Sequence, residues 1–145
     1  MKKNSCALAL TVLSTLVAGC ASTPQETFSV DRDTEAETVA SHIYTMAQRC
    51  WNKDDGFLVE GRGSRSLITP RGDYAVELFW YAADTGDQRP VIVADVVNTD
   101  HGAQVNIEKQ GFPFYGARGK VEATDAGARR VRAWARGETA CGDSL

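Results

Sequence analysis

Few side chains in this sequence can carry covalent or acid–base chemistry beyond ordinary carboxylates and hydroxyls. They are four cysteines, Cys6, Cys20, Cys50 and Cys141, and two histidines, His42 and His101. No two cysteines stand as CxxC, the usual form of a redox pair. The cysteines also lack histidine partners at the spacing of a structural zinc site. HExxH, GxSxG, a Walker loop and a Rossmann fingerprint are all missing. "GARGK" (116–120) has neither the spacing nor the terminal Ser or Thr of a phosphate loop. His101 lies beside Asp100 in "TDHGA". A triad with a serine can be drawn on paper, but proton transfer needs groups about 3 Å apart, and spacing alone does not supply that. Asp54 and Asp55 are adjacent, unlike the two carboxyls of a glycosidase, which flank a bond from separate positions. No catalytic residue, metal ligand or cofactor is assigned, and an enzyme of unknown class is kept only as an alternative.

The cysteine with the clearest surroundings is Cys20. The chain opens on the cationic Met1-Lys2-Lys3-Asn4 and continues with "SCALALTVLSTLVAG", uncharged from Ser5 to Gly19. These are the charged and apolar regions of an export signal, and the run is short for a spanning helix, which needs roughly 20 apolar residues. Val17-Ala18-Gly19-Cys20, with Leu16 before it, resembles a bacterial lipobox. That resemblance implies that residues 1–19 are a signal peptide and that the Cys20 thiol receives a diacylglycerol. Cleavage before Cys20 then frees an amine that is itself acylated, commonly with palmitate. Two or more acyl chains hold a protein stably to a bilayer where one holds it marginally. Ala21, where Asp would favour inner-membrane retention, implies an outer-membrane lipoprotein on the periplasmic side, with surface exposure open. The alternative is an ordinary signal cut near Ala18 or Ala21.

Processing simplifies the rest. Removing residues 1–19 takes Lys2, Lys3 and Cys6 and leaves 14 basic against 19 acidic residues, a formal charge of −5. That balance argues against nucleic acid, whose nonspecific binders neutralise phosphates. With Cys20 acylated, Cys50 and Cys141 remain in an oxidising compartment, where a disulfide between them is expected. Two free thiols are the alternative.

The elements that must position these residues follow from periodicity. Residues 20–29 read as a tether, with Phe28 already able to pack on the domain. In residues 31–51, Ala36, Val39, Ala40, Ile43, Ala47 and Cys50 recur at helical spacing, with Thr34 and Glu37 as a capping box or Asp33 as a competing cap. "FLVEGRG" and "RSLIT" read as two short strands separated around glycine. "YAVELFWYA" (74–82) is the strongest strand; it puts Tyr74, Val76, Leu78 and Trp80 on one face and Glu77, Phe79 and Tyr81 on the other. "VIVADVVN" (91–98) and "AQVNIEKQ" (103–110) complete a three-strand meander, the last with Ala103, Val105 and Ile107 inward. A second helix is expected over 124–138, capped by Thr124 or Asp125, with Ala128, Val131, Trp134 and Ala135 as its apolar stripe and Gly137 as its stop. The expected fold is α+β: one domain over 30–145, with an N-terminal helix, an antiparallel sheet of four or five strands, and a C-terminal helix packed on one sheet face.

Two segments are candidates for contact with a partner. "GFPFYGARG" crowds Phe112, Phe114 and Tyr115 among glycines and a proline, as a recognition patch or as a lid on the core. Arg129, Arg130, Arg132 and Arg136 ride on the second helix, and residues 109–136 carry seven basic and two acidic residues. They are suited to anionic lipid, to an acidic partner, or to the protein's own carboxylates. The leading expectation is a noncatalytic envelope lipoprotein that contacts a protein, a lipid or an anionic polymer, possible roles being assembly or maintenance. The alternative is a lipoprotein that binds a small apolar molecule or lipid in a pocket lined by Phe79, Tyr81 and the Trp134 side.

Overall fold

The computed structural model describes residues 25–30, 33–52, 60–82, 86–110 and 118–142. Seven elements follow one another: β1 (Gln25–Ser29), α1 (Ala36–Cys50), β2 (Glu60–Ile68), β3 (Tyr74–Ala82), β4 (Gln88–Thr99), β5 (Gly102–Lys109) and α2 (Arg118–Ala135). The strands form one fully antiparallel sheet in the order β1-β5-β4-β3-β2. Both helices pack on the same face of it, so the α+β expectation holds with five strands.

The apolar periods account for that layering. Ala36, Val39, Ala40, Ile43, Ala47 and Cys50 are all buried, joined by Met46. The sheet meets them with Val76 and Leu78 from β3, Ile92, Ala94 and Val96 from β4, and Ala103, Val105 and Ile107 from β5. Val131, Trp134 and Ala135 of α2 close the core. Gly127 lets α2 approach closely. A Cβ there would sit 2.8 Å from the Trp51 ring and 2.9 Å from Ile92 Cδ1.

Several boundaries differ from those read from the sequence. Residues 25–29 are not tether but an edge strand, whose Phe28 pairs across from Val105 and packs against the core. The domain therefore begins at least five residues earlier than expected. Residues 60–68 form one continuous strand rather than two. Gly61 and Gly63 keep the ladder because the rings of Tyr81 and Phe79 on β3 lie over them, where a Cβ would collide. The register slips between Leu78 and Phe79, placing Val91 as an extra residue after Pro90. A bulge is where a strand tolerates a residue without an N–H.

The helix starts were also misplaced. Glu35 is the N-cap of α1 and makes no side-chain cap bond. Instead Asn98 Oδ1 on β4 accepts the Ala36 N–H at 2.8 Å. One orphan donor of the first turn is thus satisfied from the sheet rather than by a local capping box. α2 begins at Arg118, a turn and more before Thr124 and Asp125. Neither is free to cap: Thr124 is buried, and Asp125 accepts from Lys109 Nζ at 2.8 Å. Gly137 does end the helix, with φ +87 and its N–H donating to Trp134 O at 2.9 Å.

Candidate functional site

The C-terminal tail is fastened to α1. Cys50 and Cys141 form a disulfide, with Cα atoms 5.1 Å apart across 91 residues of sequence. Trp134 Nε1 donates to Ala140 O at 3.0 Å, and His42 Nε2 lies 3.0 Å from Glu138 O. His42 is thereby engaged with the tail, while His101 is exposed in the turn between β4 and β5. Cys20, Asp54, Asp55, Phe112, Phe114 and Tyr115 lie outside the described residues.

The four candidate arginines, Arg129, Arg130 and Arg132 on α2 and Arg136 just beyond its end, divide. Arg132 donates to the Glu26 carboxylate on β1. Arg136 stacks its guanidinium 5.0 Å over the Phe28 ring, also on β1. Arg130 lies 3.9 Å from Glu138. Three of the four therefore serve the chain itself, two of them by clamping the edge strand to the helix. Of the three roles read from the sequence, binding the protein's own groups accounts for these. Arg129 is exposed and has no ion-pair partner among the described residues.

Phe79 and Tyr81 do not share with Trp134 the pocket expected of them. Trp134 is on the helix side of the sheet, fully buried. Phe79 and Tyr81 are on the opposite side, over Gly63 and Gly61. Strand alternation separates them by the thickness of the sheet. On the helix side Trp134 borders a separate groove of 560 Å³ with Val39, His42 and Arg136 among others, and Trp51 and Trp80 form an edge-on pair with centroids 6.1 Å apart. The buried Arg62 lies 4.7 Å from the Trp51 ring centroid and 5.6 Å from that of Trp80. A guanidinium in this position is held by the negative faces of both rings.

The open face of the sheet follows the expected outward side of β5, but was not singled out from the sequence as a candidate surface. It carries Thr27, Asn106, Asp95, Ala75 and Leu67 in one row across all five strands, and Glu108, Val93, Glu77 and Arg65 in the next. Thr27 Oγ1 donates to Asn106 Oδ1 at 3.0 Å, and Arg65 Nε to Glu77 Oε2 at 2.5 Å. The turn 69–73 borders a groove of 670 Å³ on this face, lined by Thr27, Arg71, Asp73, Asp95, Val97 and Asn106 among others. The clue was present in Asp95, which interrupts "VIVADVV", and in the polar half of β5.

Partial burial raises the Asp95 pKa above the ordinary aspartate value, and the nearby Glu108, Asp73 and Glu77 add to it. The sign of the consequence follows from linkage. A carboxyl whose folded pKa is raised binds its proton more tightly in the native state, so stability falls as pH rises from the unfolded pKa through the folded one. Asp95→Asn is accordingly expected to raise the denaturant midpoint near neutral pH. The advantage should shrink on acidification and vanish below about pH 3.9, where the unfolded carboxyl also protonates. Urea unfolding of both chains across that range checks it; a destabilised Asn variant at neutral pH would contradict it.

Among the described residues no group of three or more His, Cys, Asp or Glu side chains is placed to hold a metal ion, and no helix is long and apolar enough to cross a membrane. No protein-family model matches this chain, and no match was found among curated proteins or solved structures.

Proposed function

We propose that this chain is a noncatalytic lipoprotein of the cell envelope, anchored through Cys20 on the periplasmic side of the outer membrane, which uses its open sheet face to engage an envelope protein or polymer. Support for the anchor comes from the lipobox-like Val17-Ala18-Gly19-Cys20. Support for the interaction comes from the open face itself. It spans five strands, leaves Leu67 42% exposed, and mixes Val97 with hydrogen-bonding side chains. Surfaces that alternate apolar and polar groups in this way suit protein partners better than a single buried ligand.

The test places a photo-crosslinking residue at Asn106, on the open face, or at Gln48, on the exposed side of α1, in the full-length chain within its own membranes. The expected result is acylated Cys20 by mass spectrometry and a discrete adduct from Asn106 that Gln48 does not give. An unacylated Cys20 removes the anchor, and equal or absent adducts from the two positions remove the interaction face.

A further inference from the structure

A second surface gains meaning from where the chain enters the fold. β1 begins at Gln25, only five residues after Cys20. Five extended residues reach about 17 Å. Gln25 pairs with Glu108 at the end of the sheet where β5 finishes, whereas the β4–β5 turn with Asp100 and His101 lies at the other end. The eight residues of β5 separate these ends by roughly 25 Å.

Next to Gln25 is a groove of 420 Å³ between β1, β5 and α2, lined by Gln25, Lys109, Asp125, Ala128, Arg129 and Arg132 among others. Its two carboxylates are committed, Asp125 to Lys109 and Glu26 to Arg132. Among the described residues, Arg129 is the groove's cation without an ion-pair partner, and Arg132 Nε has no hydrogen-bond partner. The opposite end is acidic. Asp33, Glu35 and Glu37 lead into or open α1, and Asp73 and Asp100 sit at the turns, against Arg71.

We propose that the β1–α2 groove is the face this domain turns to the bilayer, and that Arg129 there engages the phosphate of anionic lipid headgroups. The proposal rests on the anchoring of Cys20. A short tether brings the groove to the lipid surface first. An anionic surface then attracts Arg129 and repels the acidic end, so the two effects select the same orientation. The open sheet face lies to the side and stays available to a partner. Electrostatic attraction of this kind weakens with salt, over a screening length of about 8 Å at physiological ionic strength.

The experiment uses the full-length acylated chain in vesicles of phosphatidylcholine, with or without phosphatidylglycerol, and lipids carrying a headgroup quencher. A fluorophore is placed through Ala128→Cys in the groove, His101→Cys at the far end, or Gln48→Cys on α1. Quenching is expected to be strongest at 128 and weakest at 101, and to increase at 128 with phosphatidylglycerol. Arg129→Gln should lower the docked-to-undocked ratio about fivefold in the anionic vesicles and leave it unchanged in the neutral ones. Equal quenching at all three labels on a chain whose Cys20 is acylated overturns the orientation alone. Indifference of the 128 signal to phosphatidylglycerol and to Arg129→Gln overturns the headgroup contact. A chain with no lipid on Cys20 fails earlier and overturns the anchor on which both depend.

Discussion

Trp134→Ala should destabilise the domain by about 4 kcal/mol, within the range of about 3–5 for removing a buried tryptophan. Trp134 has no exposed surface and closes the core from α2. Its neighbours are held by two helices and a five-stranded sheet, so they cannot collapse far into the space left behind. The side chain has a second role, since Nε1 holds the tail through Ala140 O. Trp134→Phe separates the two. It keeps most of the apolar volume and loses the donor, for about 1 kcal/mol. Urea unfolding of the three chains measures both, with the slope checking that each still unfolds as one unit. A loss below about 2 kcal/mol for the alanine variant would show that the core relaxes around the site.

Breaking the Cys50–Cys141 disulfide should cost at least as much. The bond closes a loop of 91 residues, and the chain-entropy model assigns such a loop about 4–5 kcal/mol. Reduction and the double variant Cys50→Ala, Cys141→Ala should agree to within the small cavity left at the buried Cys50. Both should speed amide exchange in residues 136–142 more than in β4 or β5, because the sheet ladders do not depend on the tail. Trp134 and Cys141 fasten the same segment, so their losses should not add. The triple variant is expected to fall short of the sum by about 0.5 kcal/mol or more. Strict additivity would mean that the tail contributes nothing beyond its two attachment points.

Such couplings mark the boundary of what could be read from the chain alone. The stripe of α1 was legible because a helix repeats locally, and all six residues assigned to it are buried. β5 was legible for the same reason, with Ala103, Val105 and Ile107 inward. β1 was not. "QETFS" has one large apolar residue and becomes a strand because β5 offers an unpaired edge and because Arg132 and Arg136 hold Glu26 and Phe28. The start of α1 was misread because its donor is satisfied by Asn98, 62 residues away. The role of the arginines was left open because the acids they meet are not their sequence neighbours. The solvated side of β5 was legible from alternation, but its extension into one face across five strands was not, because that depends on how distant strands pair.

The sequence alone carried the two helices, the meander, the antiparallel class and the resemblance of Val17-Ala18-Gly19-Cys20 to a lipobox, all properties of short windows whose side-chain period or order holds the information. It also narrowed the cysteines to a pair by way of that segment. The packing of distant elements places Phe79 and Trp134 on opposite sides of the sheet, engages three arginines within the molecule while Arg129 has no ion-pair partner among the described residues, and brings β1 into the fold beside the basic groove. These depend on which distant surfaces meet. That choice is made by the simultaneous burial of both helices against one sheet face, and no local window contains it.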